Sequence, residues 1–90
     1  MRVARGRVPG APSEERGATF TGRVWTDPVL DGEDGVMVTG VFFEPGARTH
    51  WHTHEVGQVL HVTAGEGYLQ SRDGTGSRLT VGDVAHIPAG

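Results

Sequence analysis

The sequence predicts an all-β fold of short antiparallel strands, a sandwich or barrel, and three observations carry that reading. No stretch offers a helical period of useful length. Runs of β-formers such as "VMVTGVFF" (36–43) are bounded by turns rich in Gly, Asp and Pro. Those turns recur at short, near-regular intervals, as sandwiches and barrels require. Ninety residues allow one domain. With 36% hydrophobic residues, 15 glycines and 5 prolines, the chain is too apolar and too patterned to be disordered, but turn-rich.

The elements follow in order. Residues 1–18, "MRVARGRVPGAPSEERGA", hold four arginines, three glycines and two prolines without periodicity, and are expected to form a mobile arm ahead of a domain spanning 19–90. A nucleic-acid or lipid contact through Arg2, Arg5 and Arg7 is the functional alternative, diluted by Glu14 and Glu15. "TFTGRVW" reads as a strand and "TDPVLDGEDG" as the loop after it. "VMVTGVFF" places Met37, Thr39, Val41 and Phe43 on one face and Val36, Val38, Gly40 and Phe42 on the other. Both faces are mainly apolar, which predicts a strand covered on both sides. Then come "THWHTH", "VGQVLHVTA", the turn "GEG", "YLQSR", the turn "DGTG", "SRLTV", the turn "GD" and "VAHIP".

Composition excludes several functions. The net charge of −3 asks for neither nucleic acid nor an anionic membrane as partner. Without cysteine there is no disulfide and no thiolate chemistry. No apolar run reaches membrane-spanning length and no signal-peptide core is visible, so the expected compartment is the cytoplasm. "GEG" lacks the following helix that a dinucleotide fingerprint needs, so Gly65, Gly67 and Gly82 read as turn glycines.

Histidines carry the chemistry. On an extended strand, residues two apart point the same way, so His52 and His54 of "THWHTH" would project together, close enough to share one ion. Gln58 is the next polar residue able to join from a neighbouring strand, since a metal site needs three or four ligands. The reading without chemistry is a half-exposed strand of alternating His and Trp. His50 shares the parity of His52 and is weighed as a substitute ligand or base against a strand-start residue with no chemical role. His61 faces away from Gln58 by parity.

The spacing Gly46, His52, His54, Gln58, Gly65 resembles the first motif of the cupins, with Gln58 where glutamate is usual. Gly82, Pro88 and Gly90 match the second motif, so the resemblance spans half the chain. "FEPGART" and "GDVAHIPAG" are closest to small single-domain bacterial cupins. Some of these accompany carboxymuconolactone decarboxylase-like proteins, and others are manganese-dependent hydroxynitrile lyases. The resemblance implies a double-stranded β-helix (a jelly-roll-like barrel) and one divalent ion, manganese first, with iron, nickel or zinc as alternatives. Its ligands would be His52, His54 and Gln58. Thr39 and Val41 would line a pocket, Thr49 would offer a hydroxyl, and a small molecule would be the substrate or ligand. His86 stands where relatives carry a bulky aromatic, and packing and proton transfer are both open to it. Trp51 reads as packing or interface, and Arg48 as a partner of Glu44 or of a carboxylate on another subunit. The resemblance also implies a homodimer or higher oligomer, formed by exchange of "TFTGRVW".

The fourth ligand of the family, a histidine, would lie three residues past Gly90, and the base of the related lyases would lie further on. The expectation is therefore a barrel incomplete at its C-terminus, a fragment of a product of about 120 to 130 residues. The alternative is that a partner chain supplies the missing strands.

A neutral amide in place of a carboxylate leaves more of the ion's charge for a substrate, which favours Lewis-acid over oxygenase chemistry. Three functions stay open: a metal-dependent enzyme on a small carbonyl or hydroxy compound, hydroxynitrile lyase-like; a non-catalytic ligand-binding or sensing cupin; and an inactive fragment.

Overall fold

The computed structural model describes residues 1–4, 6 and 12–90, which divide into two units, Met1–His52 and Thr53–Gly90. Every regular element among the described residues is a strand, and no helix is long and apolar enough to cross a membrane.

The first unit contains β1 (Glu14–Arg16), β2 (Phe20–Thr21), β3 (Val24–Asp31), β4 (Met37–Phe43) and β5 (Arg48–Thr49). β3 is the middle strand of an antiparallel sheet in the order β1-β3-β4, and β2 pairs antiparallel with β5. The core of this unit is one face of β3. Val24, flanked by Arg16 and Phe43, is fully buried, and Thr26, between Glu14 and Val41, is 5% exposed. Because a buried hydroxyl needs partners, Thr26 accepts a hydrogen bond from Arg16 Nε (3.1 Å) and donates to the Glu14 carbonyl (3.5 Å). Phe20 meets Phe43 edge-on, with ring centroids 6.1 Å apart.

Three expectations are corrected here. The segment predicted as an arm contributes β1, because Glu14–Arg16 find an open edge of β3 to pair with. Arg2 within it faces Asp31 (3.4 Å) and Asp34 (3.3 Å), while Arg5 and Arg7 lie outside the described residues. The predicted loop "TDPVLDGEDG" is strand as far as Asp31. Proline is tolerated because Pro28 lies beyond the β1 pairing and at the register shift between Pro28 and Leu30, where a missing N–H costs little. The loop is confined to the residues after it, where Gly35 N–H donates to the Gly32 carbonyl and Asp31 accepts from the Glu33 N–H. Third, β4 is exposed along its whole length, not covered on both sides.

On the outer side of the sheet, Arg23 lies 5.0 Å over the Trp25 ring and pairs with Glu15 (3.2 Å) and Glu44 (3.6 Å). The Trp25 indole N–H donates to the same Glu44 carboxylate at 2.9 Å, so the partners of Glu44 here are Trp25 and Arg23 rather than Arg48.

The second unit nests one hairpin inside another pairing. β6 (Gln58–His61) pairs antiparallel with β9 (Val84–Ile87), and between them in sequence β7 (Glu66–Gln70) pairs with β8 (Gly76–Thr80). The turn 71–75 is closed by Ser71 N–H to the Thr75 carbonyl, 2.8 Å. Asp73 accepts from both the N–H (2.9 Å) and the hydroxyl (2.6 Å) of Thr75. Glu66 and Arg78 pair across the hairpin. Gly67, expected in a turn, lies within β7 opposite Leu79, while Gly65 lies in the bend before β7 and Gly82 in the turn before β9, both at positive φ. Two bonds, Val62 N–H to the Asp83 carbonyl and Gly82 N–H to the Val62 carbonyl (both 2.9 Å), fasten the base of the β6–β9 ladder.

Candidate metal centre

β5 ends at Thr49, so "THWHTH" is not the extended strand that its alternation predicts. The β2–β5 ladder has only two pairs, Phe20–Thr49 and Thr21–Arg48, and the chain bends at Trp51 and again at Glu55–Val56. The argument that His52 and His54 share a strand face therefore does not hold. What positions each residue is a set of specific hydrogen bonds.

His50 is held at two points. Its N–H donates to the Thr19 carbonyl (2.8 Å), and its ring Nε2 is bonded to Thr21 Oγ1 (3.0 Å). The His50 carbonyl in turn lies 2.8 Å from His52 Nδ1. A carbonyl oxygen only accepts, so Nδ1 carries the proton and the lone pair of the neutral ring sits on Nε2. This is how metal-ligating histidines are commonly set, with the other ring nitrogen donating to a backbone carbonyl or carboxylate. His52 itself is exposed.

In the second unit His54 is half-buried and its Nε2 is shielded from solvent. Its carbonyl accepts the Gly90 N–H at 2.9 Å, which joins the histidine motif to the end of "HIPAG". Gln58 opens β6 opposite Ile87. Alternation along the β6–β9 ladder puts Gln58, Leu60, Ala85 and Ile87 on a half-buried face. Val59, His61, Val84 and His86 take the exposed one. The parity argument for His61 therefore holds, and His86 faces the same side as His61.

Thr49 and Trp51 are exposed, as are Thr39 and Val41, which sit on β4 opposite Pro28 and Thr26. A shallow depression of about 240 Å³ lies elsewhere, at the turn end of the β7–β8 hairpin, lined by Leu69, Ser71, Thr75, Gly76 and Ser77. Among the described residues no three His, Asp or Glu side chains gather around a common point. The donor set read from the sequence contains only two residues of those types, its third member being an amide. Two neutral imidazoles and an amide oxygen are chemically suited to a first-row divalent ion, and the protonation pattern of His52 fits that role. Thr21 is the residue that sequence reading missed. A threonine between Phe20 and Gly22 carries no signal of its own, and only the fold reveals that its hydroxyl meets His50.

Comparison with known proteins adds three findings. The cupin domain family matches residues 39–90. An (R)-mandelonitrile lyase from Granulicella tundricola is 48% identical over 73 residues, which cover 79% of this chain and 56% of that protein. The crystal structure of a cupin-like protein from Thermotoga maritima superposes with a TM-score of 0.77 at 42% identity, over 91% of this chain and 65% of that one. The chain thus spans less than two thirds of the length of either relative.

Proposed function

The chain belongs to the cupin domain family and has an all-β cupin fold, and on that premise we propose that it is the metal-binding part of a lyase acting on a small hydroxynitrile. One observation in the structure supports the metal reading: the 2.8 Å bond from His52 Nδ1 to the His50 carbonyl, an outer partner of the kind that metal-ligating histidines commonly have. The reaction class comes from the similarity to the (R)-mandelonitrile lyase. His52, His54 and Gln58 hold the ion, with manganese first and iron, nickel or zinc as alternatives. Bound there, a divalent ion supplies Lewis acidity toward a hydroxyl or carbonyl oxygen.

The residues of the chain supply the rest. Gln58 contributes an oxygen without negative charge, so the donor set stays neutral. Thr49 offers its hydroxyl to the substrate oxygen, and Thr39 and Val41 present a small polar and an apolar group to the substrate body. The overall change is redox-neutral. The hydroxyl loses its proton, the bond to the nitrile carbon breaks with its electron pair leaving on cyanide, a carbonyl forms, and the cyanide takes up the proton. No oxidant or reductant enters.

The test uses the purified 90-residue chain, loaded with Mn²⁺, dialysed and analysed by inductively coupled plasma mass spectrometry, alongside benzaldehyde release from (R)-mandelonitrile. About one ion per chain is expected, lost in the His52→Ala/His54→Ala variant together with aldehyde release. Equal metal in wild type and a folded variant refutes the ligand set. Bound metal without aldehyde release refutes the lyase reading and leaves a metal-binding cupin that turns nothing over.

A further inference from the structure

We propose that Asp34, in the turn between β3 and β4, is a site of spontaneous covalent modification: it isomerises to isoaspartate through a cyclic succinimide formed with Gly35, faster than the other aspartyl-glycine pairs of the chain do. The chemistry is open at three places. Asp31, Asp34 and Asp73 each precede a glycine, and the sequence has no asparagine. Asp27 precedes Pro28, which has no N–H to react, and Asp83 precedes the β-branched Val84. A following glycine leaves the attacking nitrogen unhindered, because it brings no side chain.

The step balances with water as the only other reactant. The glycine nitrogen attacks Cγ of the uncharged, protonated aspartate. A C–N bond forms, the N–H proton is lost, and the hydroxyl oxygen of the carboxyl departs as water, which closes a five-membered ring. Water then adds to one of the two ring carbonyls. Cleavage of the new bond restores aspartate. Cleavage of the original peptide bond leaves the main chain running through Cβ and Cγ, an isoaspartate of unchanged mass. Nothing is oxidised or reduced.

The three sites differ in what holds the carboxylate. Asp31 accepts the Glu33 N–H at 3.0 Å, and Asp73 accepts the N–H (2.9 Å) and the hydroxyl (2.6 Å) of Thr75. Bonds of this kind tie the carboxylate to the residue two ahead and favour its charged form, which is the unreactive one. Both carboxyls are accordingly held below their ordinary value, Asp31 first by the Glu33 N–H and Asp73 first by the Thr75 hydroxyl. Among the described residues Asp34 has only Arg2, 3.3 Å away, and the two side chains are 74% and 46% exposed. Such a pair is screened by solvent and holds little. The attacking nitrogens do not separate Asp34 from Asp73. Gly35 N–H donates to the Gly32 carbonyl (2.9 Å) and Gly74 N–H to the Ser71 carbonyl (3.1 Å), so either turn must open before attack. The product adds one carbon to the main chain of a turn that follows the Asp31–Met37 pair, on the way into the strand that carries Thr39 and Val41.

The test ages the purified 90-residue chain at neutral pH, in native buffer and in concentrated guanidinium chloride. Isoaspartate is mapped by peptide digestion and electron-transfer fragmentation, which cleaves the Cα–Cβ bond now in the main chain. In the native chain Asp34 should isomerise about tenfold faster than Asp31 or Asp73. That factor corresponds to about 1.4 kcal/mol, the weight of one hydrogen bond to a charged group. In guanidinium the three rates should converge, because the fold makes the difference. Thr75→Val, which removes the hydroxyl and keeps the N–H, should raise the rate at Asp73 and leave that at Asp34 unchanged. Equal rates at the three sites of the native chain, or a faster rate at Asp31 or Asp73, overturn the proposal. A tenfold preference that persists in guanidinium assigns it to neighbouring sequence and overturns it as well. So does an unchanged rate at Asp73 in a folded Thr75→Val chain.

Discussion

Replacing Gly22 by alanine tests how closely the chain between β2 and β3 runs against the segment that enters β5. Gly22 has φ +81°, and a Cβ built there would stand 2.9 Å from both Cα and Cβ of Ala47. Carbon atoms rest at roughly 3.5–4.0 Å. Ala47 cannot swing aside as a long side chain would, because its N–H is committed to the Glu44 carbonyl at 2.9 Å. Two costs therefore add. The left-handed backbone costs an alanine about 1–2 kcal/mol, and the overlap about 1–3 kcal/mol. A stiffer unfolded chain returns about 0.4–1 kcal/mol. The net loss for Gly22→Ala is about 1–5 kcal/mol, centred near 3.

Gly35 supplies the control. Its φ is +84°, yet a Cβ there meets nothing within 4 Å. Gly35→Ala thus bears the conformational cost without the overlap, about 1 kcal/mol net. Urea unfolding followed by tryptophan fluorescence measures both variants in the same unit, and the difference of about 1–3 kcal/mol isolates the close approach. Equal losses within about 0.5 kcal/mol would refute the packing of the β2–β3 connection on Ala47.

Two further outcomes follow from burial and charge. Val24→Ala removes two methyl groups from a fully buried site and should cost about 2–3 kcal/mol, while Val59→Ala, at a position 65% exposed, should stay within about 0.5 kcal/mol. Urea unfolding checks both, and similar losses would show that the β3 face is not the core of its unit. The Asp73 carboxyl is held below its ordinary value, first by the Thr75 hydroxyl and then by the Thr75 N–H. Its folded pKa lies below the unfolded one. The support it gives to the turn is therefore complete above the ordinary carboxylate value of about 3.9 and is lost as pH falls through the folded value. Amide exchange at Gly74 and Thr75, corrected for intrinsic rates, should show this loosening toward about pH 2. In Asp73→Asn it should be absent, and the same acid profile in both chains would contradict the assignment.

The parts of the fold legible in the sequence are those set by local pattern. "YLQSR", "DGTG", "SRLTV" and "VAHIP" read as strand and turn, and β7, β8 and β9 lie there with the 71–75 turn between the first two. Periodicity of two and turn chemistry act over a few residues, so one sequence suffices to see them. Pro28 misleads because its tolerance depends on where β1 stops, a fact about another segment. The end of β5 misleads because "THWHTH" alternates well but has only β2 to pair with, and β2 is two residues long. The motif spacing made the family legible, and the match over residues 39–90 agrees with it. The hydrogen bonds through Thr21 and His50 were not legible at all. They join residues 29 apart and depend on side-chain reach rather than on pattern.

The nesting of β7–β8 between β6 and β9 sets an order of assembly. Pairing β6 with β9 directly would close a loop of 22 residues between His61 and Val84. Once the inner hairpin has formed, only residues 62–65 and 81–83 remain to be ordered, an effective loop of about eight, which lowers the closure entropy by about 0.9 kcal/mol. That is a roughly fivefold gain in the chance of the two outer strands meeting. Gln58 stands at the far end of the outer ladder and is placed last. A lesion in the 71–75 turn, by loosening the inner hairpin, would therefore also lower the chance that β6 and β9 meet and that the amide proposed to hold the ion is ordered.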